Sequence, residues 1–157
     1  MQTREHSVRL TRQYRQTLHA APARVFPLLC PEREKEWLPG WDARMIHSDS
    51  GVAEPRAIFA SRDGDGDGGE IVWFIVAHEP PRHVHFVRWH PAGMLVDIDL
   101  DLSSPEPDTT WLDVRYTYTA TSPAGAQRIA AMTPAQWQDQ MTHWETHLDA
   151  WLATHPA

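Results

Sequence analysis

The C-terminal end of the chain predicts a long amphipathic helix, which constrains the fold more than any other segment. Thr133-Pro134 is a start signal for a helix, because a proline in the first turn loses no hydrogen bond there. Apolar residues then recur on one side of the helix: Trp137, Met141, Trp144, Leu148, Trp151 and Leu152. A stripe this wide must lie on an apolar surface of similar size, and a sheet is the only candidate in this sequence.

The rest of the chain is typical of antiparallel strands that could form this sheet. Residues 8–18 alternate between apolar and polar side chains, which predicts a half-buried strand. Ala21-Pro22-Ala23 begins a helix that Pro27 makes short or kinked, and a second short helix over 32–37 ends at Pro39-Gly40. Further strands are predicted near residues 43–48, 56–61, 71–77, 83–90, 94–102 and 112–118.

A predicted hairpin sets the register at the centre of the sheet. Pro91-Ala92-Gly93 suits a three-residue turn, with proline in the type I turn and glycine in the left-handed position. The pairs on the inner face are then His90–Met94, Arg88–Val96, Phe86–Ile98 and Val84–Leu100. The preceding turn, Glu79 to Arg82, sets Arg88 opposite Trp73. The sequence therefore predicts that Arg88 points into the interior, provided that the register does not slip by one residue.

These segments resemble the START-like SRPBCC superfamily. The resemblance rests on the order of elements, on Cys30 to Trp41, on the strand end Tyr116 to Ala120 and on the Trp-rich last helix. It covers nearly the whole chain and implies one domain over residues 1–157. The implied architecture is the α+β helix-grip fold: a curved antiparallel sheet of about six to seven strands wraps a long C-terminal helix, with two short helices after the first strand. A cavity is expected between sheet and helix.

Members of this superfamily carry lipids, hormones and polyketide intermediates, and some cyclise or dehydrate them, so the resemblance implies a pocket without choosing its occupant. We expect binding or carriage of a small hydrophobic or amphipathic molecule. The alternatives are a polyketide cyclase or dehydratase that uses the same cavity, and a protein-interaction module like the activators of the heat-shock chaperone ATPase. Binding is favoured over turnover, since the sequence shows neither a nucleophile with a base nor two inward carboxylates.

The candidate ligand-binding residues are those that the register and the helix stripe direct to the cavity. They are Trp73, Phe86, Arg88, Val96, Ile98, Tyr116, Tyr118, Trp137, Met141 and Trp144. Most of the aromatic residues could equally be core packing that also forms the cavity wall.

Arg88 is the most distinctive candidate, because a buried guanidinium needs a partner. It could stack on Trp73, pair with an inward carboxylate, or hold the carboxylate of a ligand. Arg12, which interrupts the inner face of the first strand, has the same alternatives with less support. Arg88→Ala is expected to abolish binding of an acidic ligand and to leave the fold intact.

The histidines and the aspartate-rich loop raise the question of a metal site. His143 and His147 are four apart on a helix but flank the apolar stripe, and His83 and His85 face away from the cavity with no third ligand visible, so we expect both pairs to be solvated. The run Asp63-x-Asp65-x-Asp67 resembles the start of a calcium loop, but Phe74 stands at the twelfth position, where a glutamate is needed. Weak calcium binding there stays open. We expect no metal and no cofactor.

The net charge and its distribution argue against nucleic acid as a partner. The net charge is −7, and residues 61–110 carry three basic and ten acidic groups. Scattered arginines provide no basic stripe, so nucleic acid is not an expected partner. The single cysteine, Cys30, and the lack of an apolar span or leader predict a cytoplasmic protein that does not insert into membranes.

The residues on the outer face of the predicted sheet indicate a second copy of the chain as a partner. The same register exposes a group of apolar side chains together: Val72, Phe74, Val76, Val87 and Trp89. A patch of this size is unusual on a monomer. We therefore expect a homodimer through the convex face.

Overall fold

The computed structural model describes residues 8–62 and 69–157. Its strands are β1 (Arg9–Leu18), β2 (Arg44–His47), β3 (Ile58–Arg62), β4 (Glu70–Glu79), β5 (His83–His90), β6 (Met94–Ser103) and β7 (Thr110–Ala120). Its helices are α1 (Pro22–Val25), a 3-10 turn (Phe26–Leu29), α2 (Pro31–Glu34), α3 (Pro123–Ala131) and α4 (Pro134–Thr154). The candidate calcium ligands Asp63, Asp65 and Asp67 lie outside the described residues.

The seven strands form one antiparallel sheet in the order β1-β7-β6-β5-β4-β3-β2. The predicted register of the central hairpin is confirmed: Arg88 pairs with Val96 on β6 and with Trp73 on β4. Gly93 has a φ of +100°, the left-handed conformation that the turn prediction assigned to it. The even-numbered side chains of β5 therefore face the interior.

The curved sheet holds α4 against its inner face, which confirms the helix-grip architecture. Thr133 and Gln136 form a capping box at the start of α4, as expected from Thr133-Pro134. Polar contacts also fix α4 to β1 at the sheet edge: the Thr17 amide donates to Glu145 at 2.6 Å, and the His19 amide donates to Asp149 at 2.8 Å. The helix is therefore held by its apolar stripe and by bonds to a strand backbone.

Helix α3 was not predicted from the sequence. A close contact explains its glycine. A Cβ atom added to Gly125 would lie 1.7 Å from the carbonyl oxygen of Gly93. The Ser122 side chain caps α3 by accepting from the Gly125 amide at 3.1 Å. The start of α3 thus packs directly on the β5–β6 turn.

The outer face of the sheet carries the apolar patch that the register predicted. Val72, Phe74, Val76 and Trp89 are all exposed, and Val87 is partly covered. Leu95 extends the patch, because it pairs with Trp89 across β5 and β6. Among the described residues, no helix combines the length and the apolar character needed to cross a bilayer.

A candidate binding cavity between the sheet and the C-terminal helix

A cavity of about 210 Å³ lies where the central strands, the α2 region and α4 meet. Its walls are mainly aromatic: Trp37, Trp41, Phe59, Trp73, Phe86, Tyr116 and Trp144. Pro31, Leu38, Ile98 and Leu100 add aliphatic surface, and Glu34, Arg88, Gln140 and His143 add polar groups. Gln140 and His143 are exposed on α4, so they lie at the opening of the cavity.

The aromatic walls are packed against one another, which gives the cavity a defined shape. Trp73 stacks on Phe59 with ring centroids 5.2 Å apart, and its edge contacts Phe86 and Trp41 at 6.0 Å and 5.9 Å. The Trp73 indole N–H donates to Ser61 Oγ at 2.9 Å. Because this N–H is already paired, Trp73 presents an apolar surface to a ligand.

Arg88 enters this aromatic wall from β5. Its Cζ atom lies 5.0 Å from the Trp73 ring centroid and 5.5 Å from the Tyr116 ring centroid, within the range of cation–π interactions. The Nε atom of Arg88 is buried and has no hydrogen-bond partner, and no carboxylate of the described residues pairs with the guanidinium. Of the three partners considered from the sequence, the structure therefore provides the aromatic one and leaves the hydrogen bond of Arg88 Nε unmade.

Other polar atoms of the cavity wall also lack partners. The indole N–H of Trp144 is buried without an acceptor. Burial raises the pKa of Tyr116, and the positive charge of Arg88 only partly offsets this effect, so its phenol stays protonated at neutral pH. These groups can donate hydrogen bonds, and a buried donor without a partner costs about 1–3 kcal/mol.

Glu34 is the functional candidate that the sequence reasoning missed. It is the last residue of α2 and lines the cavity opposite the sheet. Burial raises the pKa of its carboxyl group well above the usual value. In the part of the chain that the structure describes, no donor bonds to this carboxyl. A carboxyl whose pKa is raised by burial keeps its proton to higher pH and can exchange it with a ligand.

The structure brings together six of the ten candidate residues. Trp73, Phe86, Arg88, Ile98, Tyr116 and Trp144 line the cavity. The other four, Val96, Tyr118, Trp137 and Met141, lie in the core and do not line it. Tyr118 and Trp137 are hydrogen-bond partners: the Trp137 indole N–H donates to the Tyr118 hydroxyl at 3.1 Å. Ligand contact by any of the ten remains a prediction.

Arg12 belongs to a different part of the interior. Its guanidinium donates to the Met132 carbonyl at 3.4 Å, its Nε is buried without a partner, and it does not line the cavity. The neighbouring inward residue on β1, Gln16, donates to the Met141 carbonyl at 3.3 Å. Both polar side chains of β1 therefore bind the backbone around α4.

The histidine pairs differ from the expectation that both are solvated. The rings of His143 and His147 are in edge contact, with centroids 4.2 Å apart, and His143 lines the opening of the cavity. His83 and His85 are partly buried, and each contacts an aspartate of β6. His83 and His85 are therefore less solvated than expected, because aspartates on the same outward face contact their rings.

Comparison with known proteins supports the fold. No protein-family model matches the sequence, and no curated protein matches it. Norcoclaurine synthase from Thalictrum flavum, solved in complex with dopamine and hydroxybenzaldehyde, is similar in structure, with a TM-score of 0.69 at 11% identity over 96% of this chain and 90% of that chain. Ara h 8.0201 has a TM-score of 0.69 at 12% identity, over 94% of this chain and 100% of that chain.

A third similar structure is DynU16, from the dynemicin biosynthetic locus. Its TM-score is 0.64 at 16% identity, and the match covers 92% of this chain and 47% of that chain. This chain therefore spans about half the length of DynU16. Together with the seven-stranded sheet and the long α4, these neighbours show that the chain has a helix-grip fold.

Proposed function

We propose that this protein binds a small amphipathic molecule with an aromatic or otherwise flat apolar body and an anionic or acceptor-rich end. The observation that carries the proposal is the unpartnered Arg88 Nε within an aromatic cavity. A ligand carboxylate or carbonyl would supply the hydrogen bonds that the protein leaves unmade at Arg88.

The size of the cavity limits the ligand. An engineered apolar cavity of about 150 Å³ binds benzene, so the cavity of about 210 Å³ suits a molecule with one or two rings. Long lipids would have to extend through the opening beside Gln140 and His143.

The unpaired polar groups of the wall define the polar end of the ligand. Arg88 and the Trp144 N–H can only donate, and the Tyr116 hydroxyl and a protonated Glu34 can donate as well. A ligand end that accepts several hydrogen bonds fits this set better than an amine, since an ammonium group would face the Arg88 charge. The similar structure of norcoclaurine synthase was solved with two single-ring aromatic compounds, which is in keeping with an aromatic body.

The test compares two probes that differ only in their polar end: 1-naphthoate and the neutral 1-naphthylmethanol. Binding is followed by quenching of tryptophan fluorescence and by calorimetry. We expect the protein to bind both and to prefer the acid. Arg88→Met should weaken naphthoate about ten-fold or more, because charged hydrogen bonds contribute about 1.5–3 kcal/mol, and should leave naphthylmethanol nearly unchanged.

Arg15→Met is the matched control. Arg15 also lies over a tryptophan, with its Cζ 4.1 Å from the Trp111 ring centroid, but it is exposed and pairs with Asp113 at 2.7 Å. This variant should bind both probes as the wild type does. Equal loss of naphthoate in both arginine variants, or equal affinity of Arg88→Met and wild type for naphthoate, would overturn the proposal.

The second candidate function is proton-transfer chemistry of the cyclase or dehydratase type, and Glu34 is the observation that favours it. A carboxyl with a raised pKa that lines the same cavity as Arg88 can move a proton to or from a ligand whose oxygen gains negative charge near the guanidinium. The sequence reasoning favoured binding over turnover because it found neither a nucleophile with a base nor two inward carboxylates.

A model reaction separates the two candidates. Phenylacetone exchanges its α-hydrogens with D₂O through an enolate, and NMR follows the rate. Turnover predicts faster exchange with the wild type and a loss of this acceleration in Glu34→Gln. Glu32→Gln, which removes an exposed carboxyl from the same short helix, should keep it. A wild-type rate equal to that of buffer would leave binding alone as the supported function.

A further inference from the structure

A compact group of histidines and aspartates lies on the outer face of the sheet, opposite to the cavity. Strand register explains its position: His83 pairs with Asp101 and His85 with Asp99 across β5 and β6, and these odd-numbered side chains all point outward. Asp97 stands two residues along β6 on the same face. We call His83, His85, Asp97 and Asp99 the outer cluster.

The side chains of the outer cluster lean along the strands and meet diagonally. His85 Nε2 lies 2.9 Å from Asp97 Oδ2, and His83 Nε2 lies 3.1 Å from Asp99 Oδ1. One ligand atom each from His85, Asp97 and Asp99 lie within 4.8 Å of one another. Over residues 8–62 and 69–157, it is the one group of this kind with three such donors.

The surroundings hold Asp99 in place. Its side chain is 16% exposed, and Arg115 on β7 donates to Asp99 Oδ2 at 2.9 Å. Arg115 thus orients the carboxylate through Oδ2, and Oδ1, which now contacts His83 Nε2, is the oxygen that a cation would take.

We propose that the outer cluster is a zinc site, with His85, Asp97 and Asp99 as ligands and His83 as a fourth. Two imidazole nitrogens and two carboxylates are a donor set that suits Zn²⁺, and magnesium or calcium would instead prefer oxygen alone. Tetrahedral bonds of about 2.0–2.1 Å place neighbouring donors roughly 3.3 Å apart. The donor atoms of His85, Asp97 and Asp99 already lie within 4.8 Å of one another, whereas His83 lies outside this group and would have to move further to complete the geometry.

Zinc would change the partners of the histidines. Each imidazole now shares a proton with a carboxylate, and zinc would replace that proton at Nε2 while the ring keeps its other proton on Nδ1. Arg115 would keep its bond to Asp99 and serve as a positioning residue for this ligand. The ion would also cancel part of the negative charge that the aspartates concentrate on this face.

The experiment is calorimetric titration of the chelator-treated protein with zinc chloride, with Co²⁺ as a spectroscopic probe. We expect one equivalent per chain and visible absorption typical of tetrahedral Co²⁺. His85→Gln and Asp97→Asn should each lower zinc affinity at least about ten-fold. Zinc should raise the melting temperature of the wild type and have much less effect on these variants.

Two control variants distinguish this site from the other histidines. His19→Gln removes an exposed histidine whose Nδ1 lies 2.7 Å from Asp149, a histidine–aspartate pair without a second carboxylate. His147→Gln disrupts the histidine pair on α4. Both should bind zinc as the wild type does. No zinc uptake, full affinity in His85→Gln, or a loss of binding in His147→Gln would overturn the proposal; melting curves without zinc show that each variant is folded.

Discussion

The guanidinium of Arg88 lies over the indole of Trp73, with 5.0 Å between Cζ and the ring centroid, and makes no ion pair with the described carboxylates. A cation–π contact of this kind contributes about 0.5–2 kcal/mol. Losing hydration at a guanidinium costs more than that unless hydrogen bonds replace the water. The ligand-free protein therefore leaves the buried Nε of this partly exposed side chain without a compensating hydrogen bond.

Removing the charge of Arg88 is expected to weaken ligand binding without lowering the stability of the ligand-free protein. In Arg88→Met, the free energy of unfolding of the ligand-free protein should stay equal or rise by up to about 2 kcal/mol, because an unpaired cation leaves an apolar site. Urea denaturation measures this change. The same substitution should weaken naphthoate binding, as described above. A loss of stability above about 1 kcal/mol would show instead that Arg88 serves packing.

Arg15→Met again provides the control for this stability measurement. The ion pair of Arg15 with Asp113 is about half exposed at both partners, so its removal should cost less than about 1 kcal/mol. The two arginine variants should therefore change the free energy of unfolding in opposite directions, because Arg15 is exposed and has an ion pair whereas Arg88 has none.

Glu34 is expected to make stability depend on pH. Burial raises its pKa in the folded protein well above the usual value of 4.5, so the folded state holds the proton more tightly than the unfolded state does. The contribution of Glu34 is most favourable below pH 4.5 and is lost as pH rises through the raised pKa. Glu34→Gln should match the wild type near pH 4 and become progressively more stable than it at higher pH.

Urea denaturation of both proteins between pH 4 and pH 9 tests this expectation. Glu32→Gln is the control, because Glu32 forms an exposed pair with Lys35 at 3.0 Å and should show no such trend. A stability difference between Glu34→Gln and wild type that stays constant with pH would contradict the raised pKa.

The sheet and its inner face followed from the sequence for two local reasons. Strand alternation has a period of two, and the Pro91-Ala92-Gly93 turn fixed where that alternation begins. Together they placed Arg88 opposite Trp73 and inside the protein, as the structure shows. The apolar stripe of α4 was also predicted from local periodicity, and four of its residues are buried: Trp137, Met141, Leu148 and Leu152.

The complete wall of the cavity was not predicted, because it depends on the path of the chain between α1 and β2. Local sequence patterns do not determine this path. Glu34 stands among Glu32, Lys35 and Glu36 in the sequence, so the segment resembles a solvated helix face. In the structure, Glu34 is the last residue of α2 and lines the cavity. Periodicity alone does not predict this position.

The position of α4 along the strands explains why four candidate residues do not line the cavity. Strand parity directed Tyr118 and Tyr116 to the same face, but only Tyr116 reaches the cavity. Tyr118 lies nearer to the start of α4, where Trp137 covers it. Parity gives the face of the sheet, and the position of α4 along the strands decides which residues of that face are covered.

Gly125→Ala tests the contact between α3 and the β5–β6 turn. Helix propensity alone would favour alanine by about 1 kcal/mol. The added Cβ would lie 1.7 Å from the Gly93 carbonyl oxygen, so α3 or the turn must move. We expect a net loss of about 1–3 kcal/mol in the free energy of unfolding. Ala124→Gly, at an exposed neighbouring position, should cost only about 1 kcal/mol.

The apolar patch on the convex face supports the proposal of a homodimer. Trp89 is 48% exposed and pairs with Val72 on β4 and Leu95 on β6, both also exposed, so one apolar surface spans three strands. A second copy with the same patch could cover it through a two-fold axis. Trp89→Glu should shift the protein to monomer in sedimentation velocity, because each copy would bury an unpaired charge.

Val52→Glu is the control for the dimer measurement. Val52 is similarly exposed, at 44%, but it lies in the loop between β2 and β3, outside the sheet. This variant should keep the association state of the wild type, since its charge would stay in water. A wild type that sediments as a monomer at every concentration, or equal dissociation in both variants, would contradict a dimer through the convex face. Trp89→Glu should leave naphthoate affinity unchanged, because Trp89 faces away from the cavity.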